Sequence, residues 1–275
     1  MRTEMGNRLV GSGTNALASS IIMVCRPRSM DAETISRKRY LSELEQELKE
    51  CLDEMIGGTG GTSPLAPVDL AQSAIGPGIG VFSRYKAVLQ ADGSAMAVRE
   101  ALVLINKAVD EYLNHAESDM DSDTRFCVDW FQQYGFETAA FGEANVLASA
   151  KGTSVEGVVE AGVAEAKAGK VRLLRIKEYD AAWDPTSDRR LPIWEACHQM
   201  ARALQVSESE AGKLLGRMPE KADSVRQLAY RLYTVCERKG WSEDAGHYNA
   251  LVANWHAIVE TVQAIGVSGT QDSLL

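Results

Sequence analysis

The chain has 275 residues, of which 45% are hydrophobic and 24% are charged, as is typical of globular proteins. This composition excludes a wholly disordered chain, a collagen and a small disulfide scaffold. The net charge is −9, whereas proteins that coat nucleic acid without sequence specificity are usually basic, so only a local basic patch would favour nucleic acid.

The cysteines and the apolar runs indicate a cytoplasmic protein. The five cysteines are widely spaced and include no CxxC pair, so we expect free, reduced thiols and no zinc site. The longest apolar run, residues 16–25, is interrupted by two serines and is too short to cross a bilayer. We therefore expect no membrane partner and no bound metal.

The first predicted element is a buried strand over residues 17–25, in which Ile21, Ile22 and Val24 are β-branched. Pro27 ends it, because proline cannot donate a hydrogen bond to a sheet ladder. A single strand is not stable alone. We expect it either to pair back on the preceding polar residues or to belong to a sheet whose other strands lie in sequence absent here.

Amphipathic helices are predicted from there to residue 138. Leucines recur at helical spacing between Thr34 and Ile56, and the glycines at 57 and 58 end this helix. A second helix, starting near Asp69, is expected to break at residues 76–78, which read GPG. That segment lacks the GK[ST] ending of a phosphate-binding loop, so close helix packing explains its glycines better. Two more helices are expected, over residues 98–112 and around 126–131.

Residues 143–174 predict a helix, a turn, a second helix and a hairpin. Thr153 or Ser154 is suited to cap the second helix, whose valines 155, 158 and 159 are expected to face inward. Residues 163–166 and 170–174 are expected to pair across the turn at Ala168 and Gly169. This order of elements is typical of a winged helix-turn-helix.

Two or three further helices are expected after a proline-containing linker. The predicted fold is therefore mostly α with a small β contribution. It comprises a segment with one unpartnered strand (1–30), a helical region (31–138), a winged-helix-like module (139–180) and a C-terminal helical bundle (181–268).

Basic residues form two islands in this acidic chain. Residues 1–40 carry a net charge of +4 and residues 142–177 one of +2, which leaves −15 for the rest. Lysines on a wing contact phosphates without reading sequence. However, winged helices also serve as packing or protein-contact modules, and the predicted recognition helix lacks the Arg, Lys, Asn and Gln that read base edges. The candidate DNA contacts are Thr14, Asn15, Arg26, Arg28, Lys151, Lys167, Lys170 and Arg172. No GxSxG motif or other nucleophile constellation supplies a catalytic residue.

Long stretches of the chain resemble one enzyme family. The large bacterial adenine-specific DNA methylases that carry a DUF1156 domain end their catalytic domain in a stretch similar to RTEMGNRLVGSGTNALASSIIMVCRPR. Their C-terminal region resembles, in the same order, PVDLAQSAIGPGIGVFSRYKAVLQADG, VREALVLINKAVDE and LAYRLYTVCERKGWSEDAGHYNALV. The resemblance covers nearly the whole chain. It implies a phage-defence or restriction-modification methylase, which transfers a methyl group from S-adenosylmethionine to the N6 of an adenine flipped out of DNA.

The chain departs from that family in its catalytic part. The first strand would be the terminal strand of the family's Rossmann-like sheet, but the DPPY motif and the glycine-rich cofactor loop are missing. We expect no cofactor in this chain and no catalysis by the chain alone. The expected function is that of a non-catalytic C-terminal fragment, which contributes DNA contact or assembly with a missing N-terminal catalytic half or other defence-system proteins.

Two alternatives remain open. The first alternative is that the chain is a stand-alone helical adaptor that mediates protein–protein interactions. The acidic charge outside the two basic islands and the leucine and tryptophan stripes suit this function. The second alternative is an independent enzyme with an unrecognised site, but no acid–base or nucleophile set stands out in the sequence.

Overall fold

The computed structural model describes residues 27–58, 64–118 and 120–272. Within these ranges the chain forms eleven α-helices and five short strands. The prediction of a mostly α fold with a small β contribution is therefore confirmed. The predicted strand over residues 17–25 lies outside the described residues.

The first part of the fold packs three helices beside a small parallel sheet. Its elements are β1 (Thr34–Ser36), α1 (Arg37–Gly57), α2 (Pro67–Ser83), β2 (Ala87–Leu89) and α3 (Val98–Ser118). Ile35 of β1 lies opposite Val88 of β2. Helix α1 begins at Arg37 because the side chain of Ser36 accepts a hydrogen bond from the N–H of Arg39. Leu44, Leu48 and Leu52 of the predicted stripe are buried, and Tyr40 and Ile56 are buried beside them. Leu41 and Met55, which the spacing also predicts in this stripe, are only partly buried.

Helix α2 runs unbroken through residues 76–78, so the predicted break is wrong. Pro77 lies inside the helix, where it removes one backbone hydrogen bond. The helix persists because it packs against both α1 and α3. A Cβ atom on Gly78 would lie 2.5 Å from Cγ1 of Ile105 in α3, so this glycine allows the two helices to approach closely.

The middle of the chain has the element order of a winged helix-turn-helix. Its elements are α4 (Ser122–Tyr134), β3 (Ala139–Ala140), α5 (Phe141–Lys151), α6 (Val155–Glu160), β4 (Ala164–Lys167) and β5 (Lys170–Leu173). The strands form an antiparallel sheet in the order β3-β5-β4. The first helix of the module, α4, buries Phe126, Trp130 and Phe131 and starts before the expected boundary at residue 139.

Five helices complete the fold. They are α7 (Ile193–Val206), α8 (Glu208–Leu215), α9 (Ala222–Lys239), α10 (Ser242–Ala253) and α11 (Trp255–Asp272), with short 3-10 helices at Ile176–Glu178 and Pro219–Lys221. The helical spacing of Tyr248, Leu251, Trp255, Ile258 and Val262 predicts one helix, but these residues lie in two helices, which are divided at Asn254. Its side-chain amide donates to the carbonyl of Ala250 at 2.9 Å and so satisfies the end of α10. Helix α8 was not predicted.

The buried apolar side chains of the described residues form one cluster. Helix α9 packs against α3 on one side and α7 on the other. The hydroxyl of Tyr230 in α9 donates to the carbonyl of Leu65, and Oδ1 of Asn249 in α10 accepts from the N–H of Val68 at 3.1 Å. These contacts join the first three helices to the C-terminal helices. No helix in the described ranges has the length and the apolar character needed to cross a bilayer.

Candidate nucleic-acid interface

The helix-turn-helix is shaped by two caps and a glycine. Helix α5 ends at Gly152, which has a φ of +77°. The Ser154 hydroxyl oxygen then accepts from the N–H of Gly157 at 3.0 Å and starts α6. The other predicted capping residue, Thr153, instead donates its hydroxyl proton to Asp123 of α4. This bond fixes the turn to the first helix of the module.

The wing is the hairpin β4–β5. Its two turn residues, Ala168 and Gly169, have φ values of +51° and +73°, as a type I′ turn requires. Lys167 and Lys170 are paired directly across the strands beside this turn, and both are exposed. Among the described residues no carboxylate lies within ion-pair distance of either lysine. The tip of the wing therefore presents two ammonium groups side by side to solvent.

The other two candidate residues of the module are held by carboxylates. Nζ of Lys151 lies 2.5 Å from Oδ2 of Asp129. The guanidinium of Arg172 contacts Glu165 and Glu178, each at 2.8 Å, and only a quarter of its side chain is exposed. The hydrogen bond from Arg172 holds the pKa of Glu178 below its usual value. Both cations thus neutralise charges of the protein, although Arg172 lies on β5 only two residues from Lys170.

Helix α6, in the position of a recognition helix, has an exposed surface that is acidic and apolar. Val155, Gly157 and Val158 are buried, whereas Glu156 and Glu160 are exposed. Val159 is 38% exposed, so the prediction that it faces inward is wrong. A helix of six residues has too narrow a contact with the core to bury all three valines. The glutamates repel phosphate, and no residue of α6 donates a hydrogen bond to a base edge.

The charge of the whole module supports the same view. Residues 121–180 contain seven basic and ten acidic residues, a net charge of −3. A fold that relies on a broad electrostatic footprint for DNA would be basic on one face. Among the described residues of the module, the exposed lysines that take part in no ion pair are Lys167 and Lys170 at the wing tip and Lys177 shortly after β5. Any DNA contact here is therefore expected at phosphates near the wing.

The N-terminal candidates do not add to this surface. Thr14, Asn15 and Arg26 lie outside the described residues. Nη1 of Arg28 donates to the carbonyl of Tyr85 at 2.6 Å, just before β2. Arg28 is therefore bound to the first part of the fold and not to the winged helix.

Sequence reasoning missed a pair of carboxyl groups, Asp188 and Glu195, which lie within hydrogen-bonding reach of each other. Glu195 is only 4% exposed. The one signal in the sequence is a glutamate between apolar residues in IWEAC at the start of α7. Its partner comes from a loop without periodicity and is not identifiable from spacing.

Comparison with known proteins covers this same part of the chain. The family described as "Domain of unknown function (DUF8807)" matches residues 121–274, more than half of the chain. The chain therefore belongs to this family. The match starts at Asp121, the residue that caps α4, and so includes the winged helix and all five C-terminal helices. No curated protein and no solved structure matches the chain.

Proposed function

We propose that this member of the DUF8807 family is the non-catalytic region of an S-adenosylmethionine-dependent DNA adenine methylase, of phage-defence or restriction-modification type. In this proposal its winged helix contacts the phosphate backbone of DNA. The resemblance of its stretches to the C-terminal region of the DUF1156 methylases supports the first part. Cofactor binding and methyl transfer belong to the catalytic region of those enzymes, and no residue of this chain is assigned to either.

One observation carries the DNA contact. Lys167 and Lys170 lie side by side at the exposed tip of the wing and have no carboxylate partner among the described residues. Because α6 has no Arg, Lys, Asn or Gln to donate to a base edge, we assign to the wing contact affinity and position, and sequence recognition to another part of the enzyme. A partner in the cytoplasm, either the catalytic half or another defence protein, would bring this region to its DNA.

Charge reversal on the wing tests this contact. The double variant Lys167→Glu/Lys170→Glu should bind labelled duplex DNA about tenfold more weakly near physiological salt. It should also lower the slope of log K against log salt by about 2, since each lost phosphate contact removes about 0.9. Fluorescence anisotropy between about 50 and 200 mM salt measures both quantities.

The matched control is Lys107→Glu/Lys213→Glu, which changes the net charge equally at two exposed lysines far along the chain from the wing. It should leave the slope unchanged. An unaltered slope in the wing variant would remove the wing from the interface. The methylase assignment has a separate test: the genomic DNA upstream of Met1, read in all frames, should encode a DPPY motif and a cofactor loop.

A second function, protein docking as an adaptor, is favoured by the helix-turn-helix surface. Val146 of α5 is 72% exposed and Val159 of α6 is 38% exposed, and α6 also exposes Glu156 and Glu160. Exposed valines and glutamates suit a protein surface better than a phosphate backbone. Self-association in sedimentation that is lost in Val146→Glu, together with no DNA binding, would favour this adaptor.

A further inference from the structure

A cleft of about 520 Å³ lies between the winged helix and α7. Its walls come from the turn after α6, the residues after β5, the loop over residues 180–190 and the first turns of α7. This volume is within the range of small-molecule sites. The cleft is separate from the wing tip, so a ligand site there is independent of the proposed DNA contact.

The carboxyl groups of Asp188 and Glu195 both line this cleft. Glu195 projects from the first turn of α7, is only 4% exposed, and its Oε2 atom has no hydrogen-bond partner among the described residues. Its neighbour Asp188 accepts hydrogen bonds from the N–H groups of Arg190, at 2.9 Å, and Leu191, at 3.1 Å. A Cβ atom on Gly162 would lie 3.2 Å from Oε1 of Glu195, so glycine leaves room beside this carboxyl group.

The lining carries an excess of negative charge. Six carboxyl side chains line it, those of Glu160, Glu178, Asp180, Asp184, Asp188 and Glu195, against two arginines. One of these arginines, Arg190, donates bidentately to Asp123, which is outside the cleft: its Nε bonds to Oδ2 and its Nη2 to Oδ1, each at 2.9 Å. Arg172 and Arg217 bind Glu178 and Asp184 in turn. Within the described part of the chain, no basic side chain forms an ion pair with Asp188 or Glu195, although buried carboxylates are costly unless they are paired.

We propose that this cleft binds an organic cation, a guanidinium group that lies across Asp188 and Glu195 beside Trp183. Two adjacent carboxyl groups match the planar fork of a guanidinium, which donates parallel hydrogen bonds that a single ammonium cannot reproduce. The indole Nε1 of Trp183 donates to Oδ2 of Asp188 at 3.1 Å and so holds this carboxylate in place on the cleft wall. No group of three metal-ligating side chains occurs in the described ranges, so these carboxyls suit an organic cation better than a metal.

When no cation is bound in the cleft, a proton on Glu195 removes the negative charge that the cation would otherwise neutralise. Burial raises the pKa of Glu195 to about 9, and the hydrogen bond and charge of Asp188 add to this shift. Burial alone would raise the pKa of Asp188, but the hydrogen bonds from Glu195, the two backbone N–H groups and Trp183 together lower it. At pH 7 the proton therefore lies on Glu195, whereas Asp188 is ionised. Tyr179 also lines the cleft, and burial raises its pKa well above the usual value, so it stays neutral at pH 7. The charged side chains of the lining are those of the other four carboxyl residues, Arg189 and Arg190.

A bound guanidinium replaces that proton, so binding releases it to solvent. The affinity should then rise about tenfold per pH unit between pH 6 and 8, below the pKa of Glu195. Isothermal titration of the full chain with N-acetylarginine amide measures the affinity, and buffers of different ionisation enthalpy count the protons. About one proton should be released. The neutral isostere N-acetylcitrulline amide should not bind. Equal binding of both ligands, or no binding of the arginine derivative at millimolar concentration, would overturn the proposal.

Glu195→Gln separates binding from folding. A glutamine amide still donates to Asp188 and keeps the shape of the protonated glutamate, so the variant should melt close to the wild type. It should bind at least tenfold more weakly and release no proton. The control Glu137→Gln changes a glutamate outside the cleft whose side chain is 85% exposed, and it should behave as the wild type. Wild-type affinity with proton release in Glu195→Gln would contradict the proposal.

Two further ligands distinguish the source of the guanidinium, and either positive result supports the site. Agmatine, which has no peptide groups, should bind at least as tightly as N-acetylarginine amide if the natural ligand is a free small molecule. A pentapeptide with a central arginine should bind about tenfold more tightly if the ligand is a protein side chain. Failure of both would overturn the proposal.

Discussion

His198 is a fully buried ring in α7, stacked on Trp194 with the ring centroids 4.5 Å apart and on Tyr179 at 5.5 Å. Its Nδ1 lies 2.8 Å from the carbonyl of Trp194, an acceptor, so Nδ1 carries the proton. Nε2 then accepts from the hydroxyl of Tyr248 at 3.0 Å. Burial lowers the pKa of His198 to about 4, so it is neutral in the folded chain at pH 7.

This depressed pKa predicts a loss of stability in acid. Between pH 6.5 and 4 the unfolded chain binds a proton at residue 198 that the folded chain does not, so stability falls by about 1.4 kcal/mol per pH unit as pH falls. The raised pKa of Glu195 has the opposite effect on the free energy of unfolding. The stability that protonated Glu195 contributes to the folded chain is lost as the pH rises from about 4.5 to 9. The effect of His198 must therefore be measured as a difference between variant and wild type.

His198→Gln should be about 2–4 kcal/mol less stable than the wild type at pH 7, because ring packing and one hydrogen bond are lost. At pH 5 this difference should shrink by about 2 kcal/mol, since the variant lacks the titrating ring. Urea unfolding at both pH values measures it. His256→Gln changes a half-exposed histidine, and its free energy of unfolding should differ little from that of the wild type at both pH values. A constant gap for His198→Gln would contradict the assigned pKa.

At the scale of elements, α2 and α3 show that helix contacts override a local helix breaker. The sequence around Pro77 predicts an interruption, yet the helix continues because its neighbours hold it on two sides. The contact depends on one missing Cβ atom, at Gly78, which faces three side-chain carbons of Ile105 within 3.0 Å of the Cβ position. The other glycines of this helix, Gly76 and Gly80, face open space.

Gly78→Ala should destabilise the chain by about 1–3 kcal/mol, because a methyl group would overlap buried Ile105. Gly80→Ala, two residues along the same helix, should instead stabilise it by up to about 1 kcal/mol, as alanine is the better helix former. The free energy of unfolding from urea titration distinguishes the two. Equal effects of the two substitutions would show that the close approach of α2 and α3 is not what selects glycine.

At the scale of the whole molecule, the family region and the first three helices share one core. Helix α9 belongs to the DUF8807 match but packs against α3, and Tyr230 bonds to the segment that precedes α2. Arg238 of α9 also forms an ion pair with Asp110 of α3. Removing α1–α3 would expose a buried face of α9, so we expect the two parts to unfold together.

The tryptophans allow a direct test of this coupling. All five lie between residues 130 and 255, so their fluorescence reports only on the family region, while far-UV circular dichroism reports on all helices. The two thermal transitions should coincide, as a cooperative unit requires. A circular dichroism transition that begins several degrees below the fluorescence transition would mean that α1–α3 melt independently.

Features that depend only on neighbours along the chain are predictable from the amino-acid sequence. Helical spacing of apolar residues predicted α1, and the residues around Ala168 and Gly169 predicted the wing hairpin, since both patterns report local backbone geometry. The absence of base-reading side chains on α6 was equally visible. The strand over residues 17–25 and the methylase resemblance remain predictions.

Which basic side chains form ion pairs and which stay exposed is visible only in the tertiary structure. Four basic residues of the winged module looked equivalent in the sequence, but carboxylates neutralise Lys151 and Arg172 and leave the two wing lysines exposed. The continuity of α2 and the carboxyl pair in the cleft were likewise not readable from sequence. The physical reason is the same in each case: burial, ion pairing and close packing depend on groups that the fold brings together from distant positions, and periodicity carries no information about them.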